Sequence, residues 1–374
     1  MDNYKVLVIS YSTYEYDGRL RELVEIAQLL GETYLISKAS NKIFENHFIY
    51  NKSDNYFIFL QFCYQVAKMI PDLSIVIADN RKALIPGQFI KRIVPSKIWT
   101  ISDSRELYII KDVKHITGKI GCIIEKFLYK KYDLLICANR ERARIAKKLY
   151  NLTKEPLVYE NIRKLDYSLT VDLGNLQEKF KYFFSNDSIK IVSTAGYSLN
   201  RGGIKLIEEV GSLGDKFSLF IIGGGKEDEK KKFNSLILEN GINNIFDVGR
   251  LNSDELKYFI RNCDIGAVFY HKQDLNNRYC ASGKVYEFIF EGLPIVCTSN
   301  IPLKRFCKQY QVGISGDSFS DSIMRIVDNM EFFRSNIKKM IDDFDIIENR
   351  SHIAHIIKTV ISVSPKDKND QLDS

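Results

Sequence analysis

Proline is scarce in this chain, with 7 in 374 residues, and no low-complexity tract is present, which excludes wholesale disorder. Long apolar runs are missing too. The richest stretch, 55–70, is broken by Gln61, Gln65 and Lys68, well short of the ~20 apolar residues of a membrane span. The opening Met-Asp-Asn-Tyr-Lys has neither a basic start nor a small-residue cleavage site, so no signal peptide is expected. The seven cysteines (63, 122, 137, 263, 280, 297, 307) include no Cys-x-x-Cys pair and fall mostly inside apolar runs. That predicts free thiols in a reducing cytosol, no structural zinc, and little meaning for the Asn-x-Ser/Thr triplets at Asn51, Asn151 and Asn186. There is also no P-loop and no Gly-x-Ser-x-Gly.

What is present is an ordinary globular composition, 45% hydrophobic and 27% charged, on a chain long enough for two domains. The net charge of +7 is unevenly spread. Residues 81–154 alone carry 18 Lys/Arg against 6 Asp/Glu, a local +12, whereas residues 187–374 carry 25 against 26. Solvated helix faces explain any single run of this kind; the asymmetry favours an anionic partner for the first half.

Apolar runs of strand length alternate with helical stripes. The first series has strands at Lys5–Ser10, Leu73–Ala78, Lys97–Ile101, Leu134–Ala138 and Leu157–Tyr159, with helices at Arg19–Leu30, Val113–Tyr132 and Arg140–Tyr150. Asp17 is the expected N-cap of the first helix and Gly31 its stop. After a polar break near 185–187 a second series runs from strand Ile189–Thr194 to strand Pro294–Thr298, with helices at Gly203–Val210, Glu229–Asn240, Asp254–Asn262 and Lys284–Glu291. The expectation is an α/β protein of two tandem Rossmann-like doubly wound parallel sheets facing across a cleft. Its parts are 1–166, a linker at 167–186, 187–335, C-terminal helices at 336–363 packing back towards the first domain, and a disordered tail at 364–374.

The richest segment is Tyr279-Cys-Ala-Ser-Gly-Lys-Val-Tyr-Glu287, followed by Gly292-Leu-Pro294. Ser282 and Gly283 open a helix whose first N–H groups, Val285 included, can cradle a diphosphate beside the charge of Lys284. Glu287, one turn on, can accept two hydrogen bonds from a ribose diol. A capped surface helix with a Lys284–Glu287 pair is the ordinary alternative. A matching strand–loop–helix segment carries Gly196, Arg201, Gly202 and Gly203, and Gly224 and Arg250 lie in the two post-strand loops that follow. Gly223-Gly-Gly lacks the third glycine of a dinucleotide fingerprint, which disfavours a nicotinamide dehydrogenase. In the first half, Asp17-Gly18-Arg19 and Asp103-Ser-Arg105-Glu106 occupy the corresponding turns. Asp343 and Asp345 sit too late in the chain for a metal-binding Asp-x-Asp at a strand end, and His352 and His355 lack a third ligand.

These residues resemble the retaining nucleotide-sugar glycosyltransferases of the two-Rossmann-domain (GT-B) type, family 4 in particular, over nearly the whole chain. The similarity rests on Asp17–Arg19, on Asp103-Ser-Arg-Glu-Leu-Tyr108 and above all on the Tyr279–Glu287 segment with its Gly-x-Pro. It implies that Glu287 holds the nucleotide ribose and that Arg201 and Lys284 neutralise the diphosphate. Three positions depart from the family pattern: Arg105 stands for the cleft histidine that contacts the donor sugar, Tyr279 for a glutamate, and Tyr197 for a second phosphate-binding cation.

The function these readings imply is transfer of a sugar, with retention and without a metal, from a nucleoside-diphosphate donor to a glycan or lipid-linked glycan acceptor. The setting expected is bacterial surface polysaccharide synthesis in the cytoplasm. Arg105, Arg201 and Lys284 are the candidate catalytic residues. Gly18, Gly196, Gly202, Gly224, Arg250, Tyr279, Ser282, Gly283, Val285 and Glu287 join Arg201 and Lys284 around the donor; Asp17, Arg19, Asp103 and Glu106 lie on the acceptor side. No cofactor is expected; a UDP-sugar is the first donor choice and GDP-mannose the alternative, and nucleic acid is not an expected partner. A nucleotide-sugar 2-epimerase and a non-catalytic partner subunit are the rival readings. Lys91, Arg92, Lys97, Lys126, Lys130 and Lys131 beside Phe89, Ile90, Ile93, Phe127 and Leu128 suggest peripheral binding at the inner face of the plasma membrane, although the apolar residues could equally be core.

Overall fold

The computed structural model describes residues 4–38, 41–51 and 55–363; these form two compact units, one made of the described residues up to Asn161 and again from Asp345, the other Ile162–Phe344. The tail expected to be disordered, 364–374, lies outside the described residues.

The first unit runs β1 (Tyr4–Thr13), α1 (Gly18–Leu30), β2 (Gly31–Lys38), β3 (His47–Tyr50), α2 (Tyr56–Met69), β4 (Leu73–Asp79) and α3 (Asn80–Ile93). It continues with β5 (Trp99–Ser104), α4 (Ile116–Leu128), β6 (Leu134–Cys137), α5 (Arg140–Leu149) and β7 (Leu157–Val158). Its sheet is parallel, in the order β3-β2-β1-β4-β5-β6-β7. Val6, Leu7, Val8 and Ile9 show why a parallel strand reads as an unbroken apolar run. Val6 and Val8 face one core with α1, Leu7 and Ile9 face the other with α2 and α3, and all four are fully buried. Each such side chain contributes about 1.5–3 kcal/mol of burial.

The second unit runs α6 (Leu173–Phe180), β8 (Ile189–Ser193), α7 (Gly203–Gly211), β9 (Phe217–Ile222), α8 (Glu227–Glu239), β10 (Ile245–Gly249) and α9 (Ser253–Arg261). Then follow β11 (Ile265–Val268), α10 (Leu275–Arg278), α11 (Gly283–Phe290), β12 (Ile295–Thr298), α12 (Ile301–Tyr310), β13 (Gly313–Gly316), α13 (Phe319–Asp328) and α14 (Met330–Asp342). Its parallel sheet has the same winding, β10-β9-β8-β11-β12-β13. The described residues end with α15 (Ile346–Val363), which belongs to the first unit. There Ile353, Ala354 and Ile357 share a core with Leu20, Leu23, Val24 and Ala27 of α1, and Arg350 forks Glu22 at 2.6 and 2.8 Å.

Several boundaries differ from the sequence expectations. The units divide at Ile162 rather than after residue 166, and 167–186 is not a bare linker but carries α6, whose Phe180 stacks on Tyr258 and meets Phe259 edge-on. Helix Val113–Tyr132 shortens to α4. Gly31 both ends α1 and opens β2, with no loop between, and only glycine fits there because a Cβ would overlap the Tyr4 backbone of the neighbouring strand. The C-terminal helices split: α14 stays with the second unit and only α15 joins the first.

Candidate functional site

Each sheet reverses its strand order once, between β1 and β4 in the first unit and between β8 and β11 in the second. The carboxyl ends flanking such a reversal splay their loops apart, and that is where an open α/β sheet binds ligands.

In the second unit this point is a cavity lined by Ala195 and Ser198 after β8, Ala267–Tyr270 at the end of β11, Arg201 and Lys284. Gly196, in the left-handed region at φ 61°, lets the post-β8 loop fold against the Gly224 carbonyl, where any Cβ would collide. Ser198 adopts φ 37° without being glycine, the kind of local strain that collects at ligand sites. Gly202, at φ 122°, is the N-cap of α7 and offers no side-chain oxygen to its first N–H groups. Helix α11 is likewise uncapped: Ser282 makes no capping bond and its buried Oγ has no hydrogen-bond partner. Two helix starts with uncapped amides, two cations and a cavity at the switch point make a site for an anion.

Lys284 keeps part of its surface open while protein crowds its ammonium. Burial lowers its pKa, the neighbouring Arg163 and Arg201 charges lower it further, and Glu287 works the other way. Glu287 is buried one turn along α11, and its Oε1 accepts from Arg163 Nη1 at 3.2 Å. Arg163 was not among the residues singled out from sequence; it also packs on Gly283, where a Cβ would press on its side chain. Tyr197, standing where the family has a cation, is buried and donates to Asp247 at 2.7 Å. The loop leading to α11 is pinned by Asn300, whose amide donates to the carbonyls of His271 and Asn277, and by Thr298, which accepts from the Tyr270 amide. Val285 is buried in the first turn of α11 and Tyr279 is half-buried before it. Arg250 is exposed and lies against Gly224, away from the residues lining the cavity.

The first unit gathers charge instead. Asp17 caps α1 through Leu20, and its other oxygen lies 2.5 Å from Arg105 Nη1. Arg105 Nη2 lies 2.6 Å from Asp79 and Nε 3.6 Å from Asp103. Asp103 is forked by Arg19 at 2.6 and 3.1 Å, while Arg19 also donates to the carbonyls of Tyr159 and Glu160 and stacks on the Tyr159 ring. Two guanidinium groups therefore hold three aspartates at the end of the sheet. Burial pushes the Asp79 carboxyl up to about 6, assisted by Asp17 and Asp103 and opposed by Arg105 and the Ser10 hydroxyl. For Asp17, burial is outweighed by Arg105 and the Leu20 amide, and its pKa falls. Gly18 is buried at the start of α1. Glu106 is exposed and does not join the cluster; its carbonyl accepts from Ser104. Asp79 escaped the sequence reading, though an aspartate closing the apolar run Leu73–Ala78 was the available signal.

Asp343 and Asp345 fall between α14 and α15, and His352 and His355 are exposed on α15.

No protein-family model matches the chain, and no curated protein matches it in sequence. Solved structures do match in fold. HepE from Anabaena in complex with UDP has a TM-score of 0.73 at 13% identity, covering 95% of this chain and 100% of that one. Sucrose-phosphate synthase from Thermosynechococcus elongatus gives 0.72 at 11%, with 97% and 100% covered. UDP-GlcNAc 2-epimerase from Neisseria meningitidis bound to UDP-GlcNAc gives 0.59 at 10%, with 96% and 100% covered. The chain has the GT-B fold, with its two Rossmann-like parallel sheets of seven and six strands.

Proposed function

We propose that the protein is a glycosyltransferase that takes a sugar from a UDP-sugar bound in its second unit. The observation that carries this reading is the meeting of Arg201, Lys284 and two uncapped helix N-termini at the switch point of that sheet, with Glu287 one turn beyond. Those groups match the charge that develops on a leaving diphosphate, which is electrostatic preorganisation requiring no metal. Arg201 forks phosphate oxygens, Lys284 adds a compact charge, and Glu287 accepts from the ribose diol with Arg163 holding its other oxygen. That fold neighbours such as HepE carry UDP supports uracil over guanine as the base; GDP-mannose is the alternative donor.

In the transfer the bond from the anomeric carbon to the diphosphate oxygen breaks, and a bond to an acceptor hydroxyl oxygen forms as that hydroxyl gives up its proton to the departing diphosphate. We assign retention of configuration on the family resemblance. The acceptor is assigned to the first unit and taken to be a glycan or lipid-linked glycan of surface polysaccharide synthesis. Arg105 is the candidate there for a contact to the donor sugar, in addition to holding Asp17 and Asp79.

A second reading, a nucleotide-sugar 2-epimerase, draws on Asp79, a buried carboxyl whose raised pKa suits acid–base work. Thermal-shift titration with UDP, GDP, dTDP and CMP tests the donor site. Incubation with UDP-GlcNAc alone separates the readings: epimerisation without acceptor supports the second, and sugar transfer only when acceptor is added supports the first.

A further inference from the structure

Helix α4 is apolar on the face it shows to solvent. Ile116, Ile120, Ile123 and Phe127 are 71, 49, 44 and 64% exposed. Spaced i, i+4, i+7 and i+11, they fall within about 60° of one another around the helix. This is not a loosely seated core face. The opposite side of α4 carries the buried Gly121, Cys122 and Glu125, and Arg81 of α3 forks Glu125 with two contacts of 2.8 Å. The helix is anchored by one face and offers the other. Ile110 ahead of α4 and Phe89 and Ile93 on α3, which adjoins α4, are exposed as well.

The charge around this stripe is predominantly positive, with Asp112 just ahead of α4 and Glu106 as the acids nearby. Lys114, Lys119, Lys126, Lys130 and Lys131 lie on or beside α4, and its one carboxylate, Glu125, is buried and already paired with Arg81. The patch differs from the sequence expectation in its members: Ile90 is fully buried, Leu128 packs against the core, and Lys91 is held by Asp133 at 2.6 Å. What remains is an apolar ridge rimmed by lysines, complementary to an anionic plane. A second copy meeting the same ridge would bring five lysines against five, so self-association is disfavoured by the same charges that favour anionic lipid.

We propose that α4 docks the protein on an anionic bilayer, with Ile116, Ile120, Ile123 and Phe127 entering the headgroup–acyl boundary and the lysines among the headgroups. The proposal stands apart from the donor reading, because none of these residues belongs to the second unit.

Sedimentation with vesicles tests it. The full chain should pellet with phosphatidylglycerol-containing vesicles and not with pure phosphatidylcholine, and about 0.5 M NaCl should release it. Reversing Lys126, Lys130 and Lys131 to Glu should weaken binding by about 100-fold. Ile123→Glu with Phe127→Glu should weaken it by at least about tenfold. UDP affinity and Tm should be unchanged in both, since these side chains are exposed. Phe127→Trp should shift its emission to the blue on phosphatidylglycerol vesicles alone. No pelleting of the wild type, equal pelleting with neutral vesicles, or undiminished binding by the Ile123/Phe127 variant would overturn the proposal. A dimer seen by light scattering and abolished by that variant would instead assign the ridge to a second copy.

Discussion

Arg105 Nη2 lies 2.6 Å from Asp79 Oδ1, yet neither atom has a hydrogen-bond partner of proper geometry. The contact is one of charge without a directed bond, and desolvation of Asp79 outweighs it. A carboxyl whose folded pKa is about 6 against an ordinary 3.8 holds its proton longer in the folded chain than in the unfolded one. Its contribution to stability is complete below pH ~4 and is lost as pH rises to about 6, a loss on the order of 3 kcal/mol. Asp79→Asn cannot titrate. Melting curves of both proteins between pH 4 and 7.5 should therefore diverge in favour of the variant as pH rises, and run parallel above about pH 6.5. Parallel curves throughout would show that Asp79 ionises alike in both states.

Removing Arg105 leaves Asp17, Asp79 and Asp103 facing Arg19 alone. Breaking a buried charge cluster in this way costs about 3–5 kcal/mol, so Arg105→Ala should melt well below the wild type at pH 7.5 and closer to it at pH 5, where Asp79 takes up a proton. If Arg105 also touches the donor sugar, turnover should fall at least tenfold, by roughly 1.4 kcal/mol or more of transition-state stabilisation, with partial recovery in Arg105→His. Wild-type turnover in a protein of lowered Tm would confine Arg105 to holding the aspartates.

How much of this was legible in the sequence differs from one residue to the next. The Lys284–Glu287 helix could be read because a strand, a loop, a glycine and a following Gly-x-Pro all lie close along the chain. Asp17 was legible as a cap for the same local reason. Helix α3 was not: Pro86 and Gly87 lie within Asn80–Ile93 and look like a break, yet both are buried on the face that packs on the sheet. β2 was hidden because Gly31 reads as a stop, although the backbone goes straight into the next strand. Arg163 could not be foreseen, since its pairing with Glu287 spans 124 residues and depends on the fold bringing α11 beside the chain at 163. Of the exposed ridge of α4 only Phe127 was singled out from the sequence, because which face is buried is decided by the pairing of Arg81 with Glu125, 44 residues apart.

Glu287→Ala and Lys284→Ala should each weaken UDP binding by about 10- to 150-fold, the 1.5–3 kcal/mol of a hydrogen bond to a charged group. Calorimetry checks this; unchanged affinity in both would remove the nucleotide from α11.

Activity should survive excess EDTA, because the leaving charge is assigned to Arg201, Lys284 and backbone amides. Loss of activity that Mn²⁺ or Mg²⁺ restores would show that a metal carries part of that charge.

Lys284 gives the most direct physical test of an anion beside it. In the free protein, burial and the charges of Arg163 and Arg201 depress its pKa. A diphosphate bound at the same place would supply the opposite charge and raise it again. Binding must then take up protons at a pH where the free ammonium has begun to titrate, and the uptake must grow as pH rises towards that region. Calorimetric titration of UDP in two buffers of different ionisation enthalpy, repeated from pH 7 to pH 9.5, measures it directly. The wild type should show uptake that increases with pH. Lys284→Met should lose that increase along with part of its affinity, while Lys284→Arg, which stays charged, should lose the increase and keep most of the affinity. Uptake of the same size in Lys284→Met would assign the proton to another group and place the diphosphate away from Lys284.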